Sequence, residues 1–175
     1  GLQSILRRYK KLGEPINNFH KYIAIHINDT HPSLAVAELM RLLIDEENLA
    51  WDEAWYITTN TIAYTNHTIL SEALEKWPID IFKTLLPRIY MIVEEINRRF
   101  TDEVRERYKD ENKVNNMAII GNGQIRMAHL AIVGSHSVNG VAKLLMNFIL
   151  ISLIIKPMVL PIEDGFFKQT LNYQI

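Results

Sequence analysis

Apolar residues alternate with other residues in one early segment of the chain and then recur at helical spacing. Within residues 22–27, three isoleucines fall on one face, a short β-branched pattern of period two that is typical of a strand. Residues 28–32 interrupt the pattern, and residues 33–47 carry the broad apolar face of a largely buried helix. Asp29 or Thr30 is expected to cap that helix. The segment therefore predicts a strand, a polar loop and a helix.

The later segments continue this mixture of strands and helices. Residues 51–65 are predicted as a helix, and residues 78–100, whose apolar side chains step by three or four, as the longest one. Pro87 lies inside that pattern and is expected to kink it. Residues 117–120 are a strand candidate, and residues 121–123 (Gly-Asn-Gly) are a turn. With no internal repeat or low-complexity linker, the chain is predicted to be one helix-rich α/β piece.

Polar side chains follow the predicted strand at the point where it ends. Asp29 and His31 lie directly after it, and in open α/β sheets ligands bind outside the carboxyl ends of strands. Spacing alone favours a local role for this pair, namely capping and hydrogen bonding within the loop. A ligand-orienting role stays open.

For the other candidate residues, a structural role is also an alternative to a binding role. Asn66 and His67 are either a polar pair at a helix end or a sugar-binding pair, because both side chains donate and accept hydrogen bonds. His129 and His136 lie seven residues apart, and a core or interface role is favoured over a metal site because no third ligand has suitable spacing. Glu72 and Glu75 are interpreted as surface charges.

Composition excludes several classes of protein. The net charge is −1, so nothing global favours nucleic acid or an anionic membrane. The chain has no cysteine, which excludes disulfides and thiolate metal sites. The apolar run at residues 144–155 is shorter than the roughly 20 residues of a spanning helix. With no secretory signal at the start, we expect a cytoplasmic protein.

Three longer motifs occur in an order that resembles the α-1,4-glucan (glycogen, starch and maltodextrin) phosphorylases. They are Ile-Asn-Asp-Thr-His-Pro at residues 27–32, Ala-Tyr-Thr-Asn-His-Thr at 63–68, and Arg-Met-Ala-His-Leu-Ala-Ile-Val-Gly-Ser-His at 126–136. The resemblance covers residues 2–143 and implies part of the N-terminal, Rossmann-like domain of a two-domain, GT-B-like glycosyltransferase. Such enzymes use inorganic phosphate to release terminal glucosyl units as glucose 1-phosphate, and the family includes allosteric and commonly homodimeric members.

The same resemblance implies roles for six residues. His67 is the residue that hydrogen-bonds the sugar in the catalytic site, and Asn66 is its neighbour in the same loop. Asp29 and His31 resemble the polar cluster behind it, and Gly140 and Val141 resemble the segment that lines the glucosyl pocket. These residues would supply binding and electrostatics rather than a nucleophile.

The family's cofactor is pyridoxal 5'-phosphate, whose phosphate group assists acid/base transfer. Its Schiff-base lysine and the basic residues that hold substrate phosphate lie far downstream of these motifs in the family, and neither is expected in this chain. We therefore expect the chain alone to bind no cofactor covalently and to be inactive. The two hypotheses that remain are a segment of an active phosphorylase and an inert pseudogene product or weak glucan-binding module. The polar sites at the ends of the apolar segments argue against a third, a helical interaction module.

The last part of the chain departs from the family pattern after Lys143. Plausible codons for residues 153–166, read two bases later, spell Asn-Asn-Lys-Thr-Asn-Gly-Ile-Thr-His-Arg-Arg-Trp, the motif that the family carries at this point. We therefore expect residues 1–143 to be a partial phosphorylase domain and residues 144–175 to be an out-of-frame translation. On that interpretation the apolar run has no evolved role.

Overall fold

The computed structural model describes residues 1–67 and 74–140. Predictions for Glu72, Val141 and the tail at residues 144–175 fall outside these residues. The elements in chain order are α1 (Leu2–Lys10), a 3-10 turn (Ile16–Asn18), α2 (Phe19–Tyr22), β1 (Ile25–Asn28), α3 (Ala35–Arg41), a π turn (Leu42–Glu46), α4 (Trp51–Thr61), β2 (Ile62–Asn66), β3 (Lys76–Pro78), α5 (Ile79–Leu85), α6 (Pro87–Tyr108), α7 (Glu111–Met117), β4 (Ile120–Gly121), β5 (Gln124–Arg126), α8 (Met127–Val133) and β6 (Ser137–Gly140).

A parallel sheet with the strand order β1-β2-β6 packs one side against the core of the fold. The predicted strand at residues 22–27 is confirmed as β1, although it begins at Ile25 and ends at Asn28. The buried side of the sheet carries Ile27, Ile62 and Tyr64, each at most 1% exposed, and they belong to one core with the helices. Strands of a parallel sheet need crossover connections, and helices supply them here.

The helices between β1 and β2 differ from the prediction at the start of α3 and at the end of α4. Neither Asp29 nor Thr30 caps α3, which begins only at Ala35 after a turn and has no side-chain cap. The predicted helix at residues 51–65 is wrong in its last part, because α4 ends at Thr61 and β2 follows at once. The strand alternates buried and half-buried residues, and β1 and β6 supply its hydrogen-bond partners. Tertiary pairing therefore ends the helix.

Pro87 divides the predicted long helix instead of kinking it. Leu86 has φ −136° and ψ 57°, outside the helical region, and Pro87 is the first residue of α6. A residue before proline avoids the helical region, and proline itself suits the first turn of a helix. Helix α6 then continues to Tyr108, past the predicted end.

A small antiparallel sheet, in the order β3-β5-β4, joins a strand that precedes the long helix α6 to two strands that follow α7. The predicted turn at residues 121–123 is confirmed as the tight connection from β4 to β5, with positive φ at Asn122 and Gly123 (53° and 71°). Two such residues in sequence fit a type I′ hairpin. Of the predicted strand at residues 117–120, only Ile120 is extended in β4, because α7 runs to Met117.

Among residues 1–67 and 74–140, no helix is both long and apolar enough to cross a membrane.

Candidate functional site at the carboxyl edge of the parallel sheet

The strand register brings three sequence-distant segments to one edge of the parallel sheet. Asn28 is in register with Thr65, and Asn66 is in register with Gly140. The carboxyl ends of β1, β2 and β6 therefore meet, and Asp29, His67 and Gly140 lie at the same edge. This is the edge at which open α/β sheets bind ligands.

Asp29 turns the chain away from the sheet. Its φ is 64°, a left-handed conformation in which aspartate is one of the more tolerated residues. Its backbone N–H donates to the carbonyl oxygen of Thr65 at 2.8 Å, and its Oδ1 accepts from the backbone N–H of Thr30 at 2.8 Å. The carboxylate thus stabilises the loop locally, which is the role that spacing alone favoured.

Glu75 joins this loop to a distant part of the chain. Its Oε2 accepts a hydrogen bond from the Thr30 hydroxyl at 2.6 Å and lies 3.5 Å from Nδ1 of His31. The His31 side chain is 77% exposed, so it is open to a ligand while one ring nitrogen faces a carboxylate. The interpretation of Glu75 as a surface charge was therefore incomplete, because it is part of the polar cluster around residues 29–31.

His67 lies just beyond β2 and contacts the last residue of β1. Its Nε2 is 2.7 Å from Oδ1 of Asn28, and both residues are exposed. Sequence reasoning selected His67 but missed Asn28. The signal for Asn28 was its place in the motif at residues 27–32, directly before Asp29.

Asn66 faces inward rather than towards the edge. It is fully buried, and its amide Nδ2 donates to the Tyr64 hydroxyl at 2.7 Å. The pKa of Tyr64 is raised to about 12, chiefly by burial; the Asn66 hydrogen bond lowers it, and the negative charges of Asp29 and Glu75 add to the rise. Tyr64 is therefore a neutral phenol. Asn66 supports the strand end in this structure, and direct contact between Asn66 and a substrate stays a prediction.

Comparison with known proteins identifies the family. A family model described as carbohydrate phosphorylase matches residues 1–162. The chain belongs to the carbohydrate phosphorylase family. It is 62% identical to a glycogen phosphorylase of Bacillus subtilis over 144 residues, 52% identical to glycogen phosphorylase 2 of Dictyostelium discoideum over 147, and 52% identical to a glycogen phosphorylase of Saccharomyces cerevisiae over 148.

These alignments cover 82% of this phosphorylase chain but only 15–18% of each relative. The chain therefore spans less than a fifth of the length of the curated relatives it matches.

The remaining histidine pair of this phosphorylase chain does not belong to the edge site. Nδ1 of His129 lies 3.2 Å and 3.0 Å from the carbonyl oxygens of Met117 and Ala118, and burial lowers its pKa to about 4. It is a neutral core histidine that ties α8 to the end of α7, as expected. His136 precedes β6, and its backbone N–H donates to Ile62 at the opposite edge of the sheet. Within the described ranges, no group of three or more metal-ligating side chains occurs.

Proposed function

We propose that the carboxyl-edge site forms part of the glucosyl pocket of an α-1,4-glucan phosphorylase. The enzyme would use inorganic phosphate to release terminal glucosyl units as glucose 1-phosphate. The observation that carries this proposal is the convergence of Asp29, His67 and Gly140 at one sheet edge in a chain 62% identical to a glycogen phosphorylase. The parallel sheet and its crossover helices would then belong to the N-terminal, Rossmann-like half of a GT-B-like enzyme in the cytoplasm.

The exposed side chains at the edge suit sugar hydroxyls. A neutral imidazole donates through one ring nitrogen and accepts through the other, and amide side chains also do both. In the proposal, His67 bonds the sugar directly, His31 and Asp29 form the polar wall behind it, and the Gly140–Val141 segment lines the pocket. None of these side chains needs to act as a nucleophile, because their contribution is orientation and electrostatic stabilisation.

The described edge residues do not fit a pyridoxal phosphate pocket. Asp29 and Glu75 both place carboxylates in the polar loop at this edge, which gives the edge a negative potential. Such a potential would repel the cofactor phosphate. We infer that other parts of the enzyme hold the cofactor, its lysine and the substrate phosphate, and that these 175 residues alone do not turn over.

A chimera tests the functional proposal. Residues 1–140 of this chain would replace the matching segment of the Bacillus subtilis enzyme, and glucose 1-phosphate would be followed with maltooligosaccharide and phosphate. We expect the chimera to be active and His67→Ala to lower kcat/KM about 10- to 100-fold, the value of one buried hydrogen bond to a substrate. The matched control is His26→Ala, a histidine on β1 that bonds Thr65 and should leave kcat/KM unchanged.

A folded but inactive chimera, or equal losses in the two histidine variants, would contradict the proposal. The isolated chain, assayed in parallel with added pyridoxal phosphate, is expected to give no product and to retain no cofactor absorbance after dialysis.

The frame change near Lys143 is a separate proposal. Its support is that plausible codons for residues 153–166 spell the family motif in another frame. In addition, the alignment with the Bacillus relative spans 144 of the 175 residues. The family-model match extends further, to residue 162. Sequencing the genomic DNA across the Lys143 codon tests it, because an intact frame without a downstream phosphorylase sequence would contradict the frame change.

A further inference from the structure

We propose that Asn28 is a positioning residue that fixes the tautomer of His67 and so determines which kind of ligand group His67 can bind. The inference rests on the proposed function, because it concerns how the same edge site recognises a sugar hydroxyl. It assigns the proton to Nε2 of His67 and the ligand-facing lone pair to Nδ1.

The backbone holds Asn28 rigidly at the edge. It is the last residue of β1 and is in register with Thr65 of β2. The next N–H, that of Asp29, continues the ladder by donating to the Thr65 carbonyl oxygen at 2.8 Å. Only then does the chain turn away, at the positive φ of Asp29. The Asn28 side chain therefore starts from a backbone that is fixed on both sides.

The contact between Asn28 and His67 follows from the register of the two strands. His26 is in register with Ala63, and its ring bonds the Thr65 hydroxyl, two residues further along β2, at 2.8 Å. Asn28 is in register with Thr65, and it bonds His67, again two residues further along, at 2.7 Å. The same diagonal pairing occurs twice in succession on one face of the sheet, because alternate residues of a strand point to the same side.

The chemistry of the pair leaves one arrangement. An amide oxygen only accepts hydrogen bonds, so Nε2 of His67 must carry the proton that it donates to Oδ1 of Asn28. A neutral imidazole has one N–H, and Nδ1 is therefore left with a lone pair. Within residues 1–67 and 74–140, the His67 ring has no second hydrogen-bond partner. Its Nδ1 can thus accept from a ligand hydroxyl but cannot donate to an ether or carbonyl oxygen.

Long-range ¹H–¹⁵N NMR of the histidine rings tests the inference on the purified 175-residue chain. The spectrum would be recorded at about pH 8, where an unperturbed imidazole is neutral, and His67→Gln would assign the signals. We expect the His67 ring to be almost entirely the Nε2–H tautomer, so that the ¹⁵N chemical shifts of its Nδ1 and Nε2 are strongly separated. In Asn28→Ala the two shifts should move towards the average of exchanging tautomers, whereas Asn28→Asp, which keeps an acceptor oxygen, should restore the separation.

The matched control is Thr65→Val, which removes the neighbouring diagonal bond and should change the His26 signals while leaving those of His67 unchanged. An Nδ1–H tautomer or averaged shifts in the unmodified chain would overturn the inference, and so would an Asn28→Ala spectrum identical to that of the unmodified chain. The unmodified chain alone decides the tautomer if the alanine variant does not fold.

Adding ligands to the same NMR sample tests this inference separately from the proposed function. Maltotriose and glucose 1-phosphate would be titrated separately into the same sample, and binding should shift Nδ1 of His67 more than Nε2. An Nε2–H tautomer without any response to either probe would support the role of Asn28 and count against sugar binding by this segment. A response larger at Nε2 than at Nδ1 would overturn the assignment of the lone pair.

Discussion

Replacing Gly134 by alanine should destabilise the fold through steric overlap rather than backbone strain. Gly134 follows α8 with φ −81° and ψ −1°, a conformation that alanine adopts readily. A Cβ atom at this position would overlap both methyl groups of Val36 in α3, however. The two elements that meet here lead to the edge site, because α3 follows the loop of Asp29 and β6 follows Gly134.

Two opposing effects set the size of the change. Replacing glycine by alanine at a compatible backbone conformation stabilises a protein by about 0.4–1 kcal/mol, because the unfolded chain loses conformational freedom. Overpacking a filled core costs about 1–3 kcal/mol. Val36 is fully buried, so its methyl groups cannot move into solvent. The steric cost should exceed the gain, and we expect a net loss of about 1–2 kcal/mol.

Urea unfolding followed by tryptophan fluorescence measures this loss in a double-mutant cycle. Val36→Ala alone should cost about 2 kcal/mol through the cavity it leaves. Combined with Gly134→Ala it should cost at least about 1 kcal/mol less than the sum, because the new methyl group fills that cavity. Gly123→Ala is the matched control: its φ of 71° strains alanine, yet no atom lies near its Cβ, so it should not couple to Val36. An additive cycle, or an unchanged stability of Gly134→Ala, would refute the close approach of the two helices.

Two further predictions concern His129 and Asn97, whose side chains bind the segment from the end of α7 to β4. The pKa of His129 is lowered to about 4 from 6.5, so between those pH values the unfolded chain binds a proton that the folded chain does not. The free energy of unfolding should therefore fall by up to about 3 kcal/mol as the pH drops through this window, and His129→Gln should remove that part of the pH dependence in urea titrations at each pH. Oδ1 of Asn97 accepts from the backbone N–H groups of Ile119 and Ile120 at 2.9 Å and 3.0 Å. Asn97→Ala should cost about 2–3 kcal/mol in the same assay, whereas Asn97→Asp, which keeps the acceptor, should cost clearly less; equal losses would contradict this role.

Local patterns were sufficient where the alternation of apolar residues or the turn chemistry lies within the segment itself. The alternation at residues 22–27 predicted β1, and the Gly-Asn-Gly sequence predicted the hairpin turn, because period-two burial and positive φ are properties of the segment itself. Strand β2 was predicted as helix because it continues directly from α4 without a glycine or proline between them. Its identity depends on β1 and β6, which pair with it from far along the chain.

The same distinction explains which site residues the sequence could reveal. Asp29 and His31 were found because a polar loop after a strand is a local signal. Asn28 and Glu75 were missed because their partners lie 39 and 45 residues away in sequence. The Asn28–His67 contact exists only when β1 and β2 are in register, since a shift of one residue would turn Asn28 to the opposite face. The proposed sugar-binding geometry is therefore a property of the sheet register, and a substitution that changes the register should abolish it even if every edge residue is kept.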